Sequence, residues 1–268
     1  MAHVLAVANQ KGGVGKTTSA ISISSELALS GRKVLLVDFD PQGSASSGLG
    51  VELPEEGSDI YDMFFNRVSL AQITRTCCVE NLYVAPASRD LVGIEIEIGK
   101  APGRELILKS EINLLRTAYD YIIIDCPPSS GLLTLNAMGA ADKVIIPLQA
   151  EYYALEGISA LMNTIHFVTQ TFNPALKILG VFLTMYDSRT KLSELVEREA
   201  KNFFGPLMFE TRIPRNIRLS ESPSHGLPIS LYDPASSGAV AYKLLAAELD
   251  SRCFPREMEQ GDKNVING

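Results

Sequence analysis

The chain has 268 residues, 46% of them hydrophobic, and a formal net charge of −7. That length suits one large domain or two small ones, with enough apolar side chains for a layered α/β core. The acidic balance excludes a polycation, so nucleic-acid binding would need a local basic patch. No apolar run approaches membrane-spanning length, and no basic-then-apolar leader opens the chain.

In chain order, residues 4–8 form the first short apolar run, predicted as a strand, and residues 17–29 the first helix. Strands follow at 34–37, 82–85, 121–124, 144–147 and 179–184, with helices at 104–119, 154–170 and 192–204. The near-continuous Val, Ile and Leu content of the strands suits parallel strands buried on both faces. In the helix at 192–204, Leu192, Leu195, Val196, Ala200 and Phe203 are expected to share the core face, with Gly205 closing the helix. Strand–helix alternation implies a doubly wound, mostly parallel sheet flanked by helices, a three-layer α/β fold with right-handed crossovers. Residues 52–75 carry no clear pattern. No internal repeat is present, which argues against two nucleotide sites in one chain. Residues 1–252 are expected to form one domain, and 253–268, a polar run with Pro255 and Gly261, a disordered tail. Cys77, Cys78, Cys126 and Cys253 lack Cys-x-x-Cys spacing and are read as reduced thiols; His3, His166 and His225 are scattered and read as non-catalytic.

The chemistry concentrates in Asn9-Gln10-Lys11-Gly12-Gly13-Val14-Gly15-Lys16-Thr17-Thr18, between the first strand and the first helix. Successive backbone N–H groups in such a loop cradle phosphates, Lys16 can reach the β/γ-phosphates, and the Thr17 hydroxyl can ligate Mg²⁺. The helix N-terminus adds its positive end. Gln10 stands where the plain phosphate-loop pattern has its first glycine, and a second lysine, Lys11, sits beside it. The strand at 34–37 delivers Asp38 and Asp40 at its C-terminal end, where open α/β sheets bind ligands, and strand alternation would point both the same way. Four apolar residues at 121–124 end in Asp125, the form of a magnesium-holding carboxylate strand, and Pro127-Pro128 force the chain out into a loop.

With Lys11 and Gly12-Gly13, the loop resembles the deviant Walker A motif of the ParA/MinD/nitrogenase-iron-protein ATPases. The runs 38–50, 147–158, 184–190 and 212–228, together with 9–18, are specifically similar to ParA/Soj partition ATPases, over roughly residues 1–250. The departures lie at 54–80 and in the last residues. The resemblance implies an ATP sandwich dimer in which residues 11–18 hold ATP and Lys11 of each subunit acts on the other's nucleotide. It also implies that Asp40 orients the attacking water, that Asp38 and Asp125 support Mg²⁺ with Thr17, and that Pro214 and Asn216 line the adenine. It further implies weak intrinsic ATP hydrolysis and non-specific DNA binding through Arg189 and Arg218. Stimulation by a ParB-type partner protein and a cytoplasmic location, on the nucleoid when ATP is bound, belong to the same picture.

On charge alone, residues 187–201 balance to zero, which equally describes a solvated, ion-paired helix face; Arg212, Arg215 and Arg218 are the better basic cluster. A MinD-like membrane-cycling ATPase would need an amphipathic, basic C-terminal helix, and residues 254–268 hold few apolar side chains. An iron–sulfur electron donor would need cysteines in other positions. A metabolic kinase or ligase would need an acceptor pocket. A positioning ATPase for another cargo shares every motif, and the choice between chromosome and plasmid stays open.

Overall fold

The computed structural model describes residues 1–52, 59–65, 67–151 and 156–255. Seven strands, β1 (His3–Val7), β2 (Val34–Asp38), β3 (Arg75–Thr76), β4 (Leu82–Ala85), β5 (Tyr121–Asp125), β6 (Lys143–Gln149) and β7 (Lys177–Thr184), form one sheet in the order β3-β4-β2-β5-β1-β6-β7. Every pairing is parallel except that of β3 with β4. The expected doubly wound α/β architecture is therefore the observed one.

Alternation along the strands builds two cores, one on each face of the sheet. Val4, Ala6, Leu35, Val37, Ile122 and Ile124 face one layer, packed by the helices Ile107–Leu115, Leu132–Ala140, Glu156–Thr171 and Lys191–Phe204. Leu5, Val7, Leu36 and Ile123 face the other, where α1 (Lys16–Leu29) lies against the helix Ser237–Cys253. Both layers bury apolar side chains completely, which is why these strands carry no polar alternation. Among the described residues, no helix is long and apolar enough to cross a membrane.

Several boundaries differ from the sequence expectation for identifiable reasons. The helix expected at 104–119 is a 3₁₀ turn, Arg104–Leu106, and then Ile107–Leu115. Arg116 leaves the helix, accepting the Ala2 N–H on its carbonyl oxygen and binding Asp142 with both terminal nitrogens at 2.9 Å. In Lys191–Phe204 the buried stripe is Ser193, Val196, Glu197, Ala200 and Phe204, so Leu192 and Phe203 face outward. Glu197 occupies that stripe because Arg212 and Lys201 pair with it. The strand β2 runs to Asp38 and stops, so alternation does not extend to Asp40, which lies in the following turn. The helices Leu132–Ala140 and Ser237–Cys253 carry no clear helical period in the sequence and emerge only in the fold. After the second of these, Phe254 folds back with the Arg32 guanidinium 4.4 Å above its ring. Beyond residue 255, the expected tail lies outside the described residues.

Candidate functional site

The loop after β1 folds around its glycines. Gly13 (φ 74°) and Gly15 (φ 88°) take the left-handed conformation that side chains resist, and Gly15 caps α1. Neighbours hold the loop at both flanks. The Asn9 side chain donates to the Pro147 carbonyl at 2.8 Å and accepts from the Lys11 N–H at 3.0 Å. The Thr184 hydroxyl donates to the Val14 carbonyl at 2.8 Å. Lys16 is 6% exposed, and its Nζ donates to the Lys11 carbonyl at 3.1 Å, across the mouth of the loop. Burial pushes its amine pKa below the ordinary value, while Asp125 and Asp40 pull it back up. A cation held in a pocket with no carboxylate at hydrogen-bond range among the described residues is poised for an anionic ligand. Lys11 instead turns outward, with Nζ 3.1 Å from Glu151 Oε2.

Two carboxylates stand beside the loop. Asp38 and Asp125 are register partners on adjacent strands and both are fully buried. One Asp38 oxygen accepts from the N–H and the hydroxyl of Ser46, each at 2.7 Å; its other oxygen and both Asp125 oxygens have no hydrogen-bond partner among the described residues. Burial drives the Asp38 carboxyl up to about 6, with Ser46 opposing. It drives Asp125 well above the carboxylate range; the charge of Asp38 adds to this. The Thr17 hydroxyl beside Asp125 favours the ionised form without reaching full hydrogen-bond geometry. Orphaned carboxylate oxygens next to a hydroxyl are a donor set for a hard divalent cation, and magnesium characteristically takes one or two carboxylates plus phosphates and water. No group of three or more His, Cys, Asp or Glu side chains is placed to hold a metal among the described residues. Asp40, half-buried in its turn, accepts from the Gln42 N–H at 2.9 Å.

A cavity of about 250 Å³ opens on the other side of the loop, lined by Gly15, Thr18, Met185, Pro214, Asn216 and Tyr242 among others. The strand-like run at its edge is fixed by Tyr186 N–H to Ile213 O (3.0 Å) and Arg215 N–H to Tyr186 O (3.2 Å). Asn216 is tied down, donating to the Ser237 hydroxyl at 2.9 Å and accepting the Arg218 N–H at 2.8 Å. The mostly apolar lining with a few fixed polar groups suits a flat heterocyclic base.

A phosphate cradle, a cation-seeking carboxylate pair and a base-sized cavity thus adjoin around Lys16 and Thr17. The family model described as an AAA domain matches residues 2–178. The chain is 50% identical to the chromosome-partitioning ATPase Soj of Treponema pallidum, over 94% of this chain and 98% of the relative. It is 51% identical to the sporulation initiation inhibitor protein Soj of Bacillus subtilis, over 93% and 98%. The chain belongs to the ParA/Soj family of partitioning ATPases. Among solved structures, a Mycobacterium smegmatis cobyrinic acid a,c-diamide synthase with a bound ATP analogue and magnesium is 38% identical. It superposes with a TM-score of 0.83 over 94% of this chain and 96% of that one.

The family's expected DNA residues carry ion-paired side chains. Arg189, with an 87% exposed side chain, forms a two-pronged pair with Asp187 at 2.8 and 2.9 Å. Arg218 pairs with Glu221 at 2.9 Å and lies 3.5 Å from Asp233. Arg212 is drawn to Glu197 and stacked 5.3 Å over Tyr186, which leaves Arg215 as the exposed member of the 212–218 cluster with no ion pair among the described residues. Part of the family-like stretch at 147–158, residues 152–155, lies outside the described residues. Ser46, Asn9, Thr184 and Glu151 fall inside the family-like runs, but no individual role is expected of them there; each is an ordinary polar residue whose partner is set by the fold.

Proposed function

We propose that this ParA/Soj-family protein is an ATP-driven DNA-partitioning switch. It closes as a homodimer on ATP, binds double-stranded DNA non-specifically while closed, and lets go when a ParB-type partner stimulates hydrolysis. The observation that carries this is the match at 50 and 51% identity, over nearly the whole of both chains, to relatives named for chromosome partitioning and Soj function. The 38% identity to the synthase is lower, and a ligase reading has no comparable support.

Within that function, the backbone of residues 11–18 binds the phosphates and Lys16 neutralises them. Pro214 and Asn216 border the adenine, the two carboxyls Asp38 and Asp125 with Thr17 face a magnesium ion, and Asp40 orients the attacking water. Bound Mg²⁺ would spread the charge that develops on the transferred phosphate. Lys11, whose ammonium leaves its own loop for Glu151, is free to exchange that carboxylate for the partner subunit's nucleotide, since an exposed pair is worth only about 0–1 kcal/mol. Residues 1–252 act as the ATPase domain, and the closed dimer resides on the nucleoid.

Light scattering tests the dimer directly. ATP with magnesium should double the mass of an Asp40→Ala variant, which binds ATP and hydrolyses it slowly, whereas ADP should not; a mass that ignores nucleotide rules out the sandwich.

A further inference from the structure

The turn after β2 is packed closely at several glycines, where a side chain would force a neighbour to shift. A Cβ on Gly43 (φ 61°) would stand 3.0 Å from the Ala87 carbonyl oxygen. One on Gly48 would meet Ile21 Cδ1 of α1 at 2.8 Å and Pro223 Cβ at 3.5 Å. Gly50 (φ 66°) and Gly226 (φ 64°) press together: a Cβ on Gly226 would lie 3.0 Å from the Gly50 Cα, and one on Gly50 would lie 3.3 Å from the Gly226 oxygen. Cys78 covers this contact, its Sγ 3.9 Å from the Leu49 oxygen and 3.7 Å from the Gly226 oxygen.

The same short helix, Ser44–Gly48, reaches the carboxylate pair at its other end, because Ser46 gives both its N–H and its hydroxyl to Asp38. Leu49 and Val51 N–H groups return to the Ser46 carbonyl at 3.1 and 3.0 Å, so residues 44–51 are braced as one body. On the far side, Gly226 closes the 3₁₀ turn Ser222–His225, which continues directly from the helix Arg218–Glu221.

We propose that the Ser44–Gly48 helix is a connecting rod. Ser46 positions Asp38 according to what occupies the phosphate site, and the Gly50–Gly226 contact passes that position to the Arg218–His225 segment. Close-packed joints of this kind repack between discrete arrangements and do not yield gradually. The output at Arg218 rests on the DNA-binding function proposed above; the joint itself does not.

Cys78 is a native reporter on the joint. The test follows its alkylation by iodoacetamide, resolved from Cys77 by fragment mass spectrometry, in the full chain with no nucleotide, with ADP and with ATP, each with magnesium. The wild type should change its Cys78 rate with ATP by about 5-fold or more, the lower end of ordinary coupling between sites. Gly50→Ala and Gly226→Ala should lose that response while a fluorescent ATP analogue still binds, and Ser46→Ala should lose it as well. A wild-type rate indifferent to nucleotide overturns the proposal. So do variants that melt cooperatively and keep the wild-type response; Ser46→Ala removes no packing, which keeps this arm open if the glycine variants fail to fold. Mobility shifts on the same proteins separate the two levels. ATP-dependent Cys78 labelling without ATP-dependent DNA binding would refute the DNA function and leave the joint standing.

Discussion

Lys16 shows how one side chain carries the site. It is buried, its amine crosses the loop to a backbone carbonyl, and an anion in the loop would meet its charge directly. Lys16→Ala is expected to abolish binding of a fluorescent ATP analogue; retained affinity would contradict the assignment. Asp38 makes a prediction about stability. Its carboxyl is raised by burial to about 6 from 3.8, so the folded state holds the proton more tightly than the unfolded one. The Asp38 contribution to the stability of the nucleotide- and metal-free protein therefore falls as pH rises from about 4 to about 6 and then levels off, at a cost of about 3 kcal/mol, while Asp125, also raised by burial, extends the loss to higher pH. Asp38→Asn keeps the Ser46 contacts and removes the charge. Its melting temperature should exceed that of the wild type above pH 6 and converge with it toward pH 4; equal curves throughout would show that burial does not disfavour the charged carboxyl. Lys11, Lys16 and Thr17 are legible in the sequence because glycine spacing fixes a loop within ten residues. Ser46 and Thr184 are not, since Thr184 meets Val14 across 170 positions of chain and nothing local announces it.

At the scale of elements, legibility follows burial. The strands β1, β2, β4 and β5 are short runs of apolar residues with the sheet's two layers on either side, and their pattern alone places them. The helix Leu132–Ala140 escapes sequence reading because eight of its nine residues are buried, so it has no polar face to mark a helical period. The two-residue strand β3 is too short to show alternation. Helix Lys191–Phe204 is legible, but its core face turns on Phe204 and not on the expected Phe203, because an ion-paired Glu197 holds a position that apolar counting reserves for a hydrophobe. Ile123 in β5 is fully buried under α1, and Ile123→Ala should cost about 2–5 kcal/mol in a denaturant melt. A loss below about 1 kcal/mol would mean that this layer is loosely packed.

Across the whole molecule, the ATPase family stands on full-length relatives, while the proposed DNA face depends on exposed arginines that are already paired. Arg189 with Asp187 and Arg218 with Glu221 are surface pairs of small net worth, readily traded for phosphates. With a net charge of −7, a single chain has little reason to approach DNA, and in the proposed dimer two copies joined by ATP would double whatever basic surface each presents. The decisive measurement is a DNA mobility shift with ATP, with ADP and without nucleotide, each at about 50 and about 200 mM salt. Binding only with ATP, weakened about tenfold or more at the higher salt, is the predicted result; equal shifts in all three nucleotide conditions, or none with ATP, would contradict the proposed function.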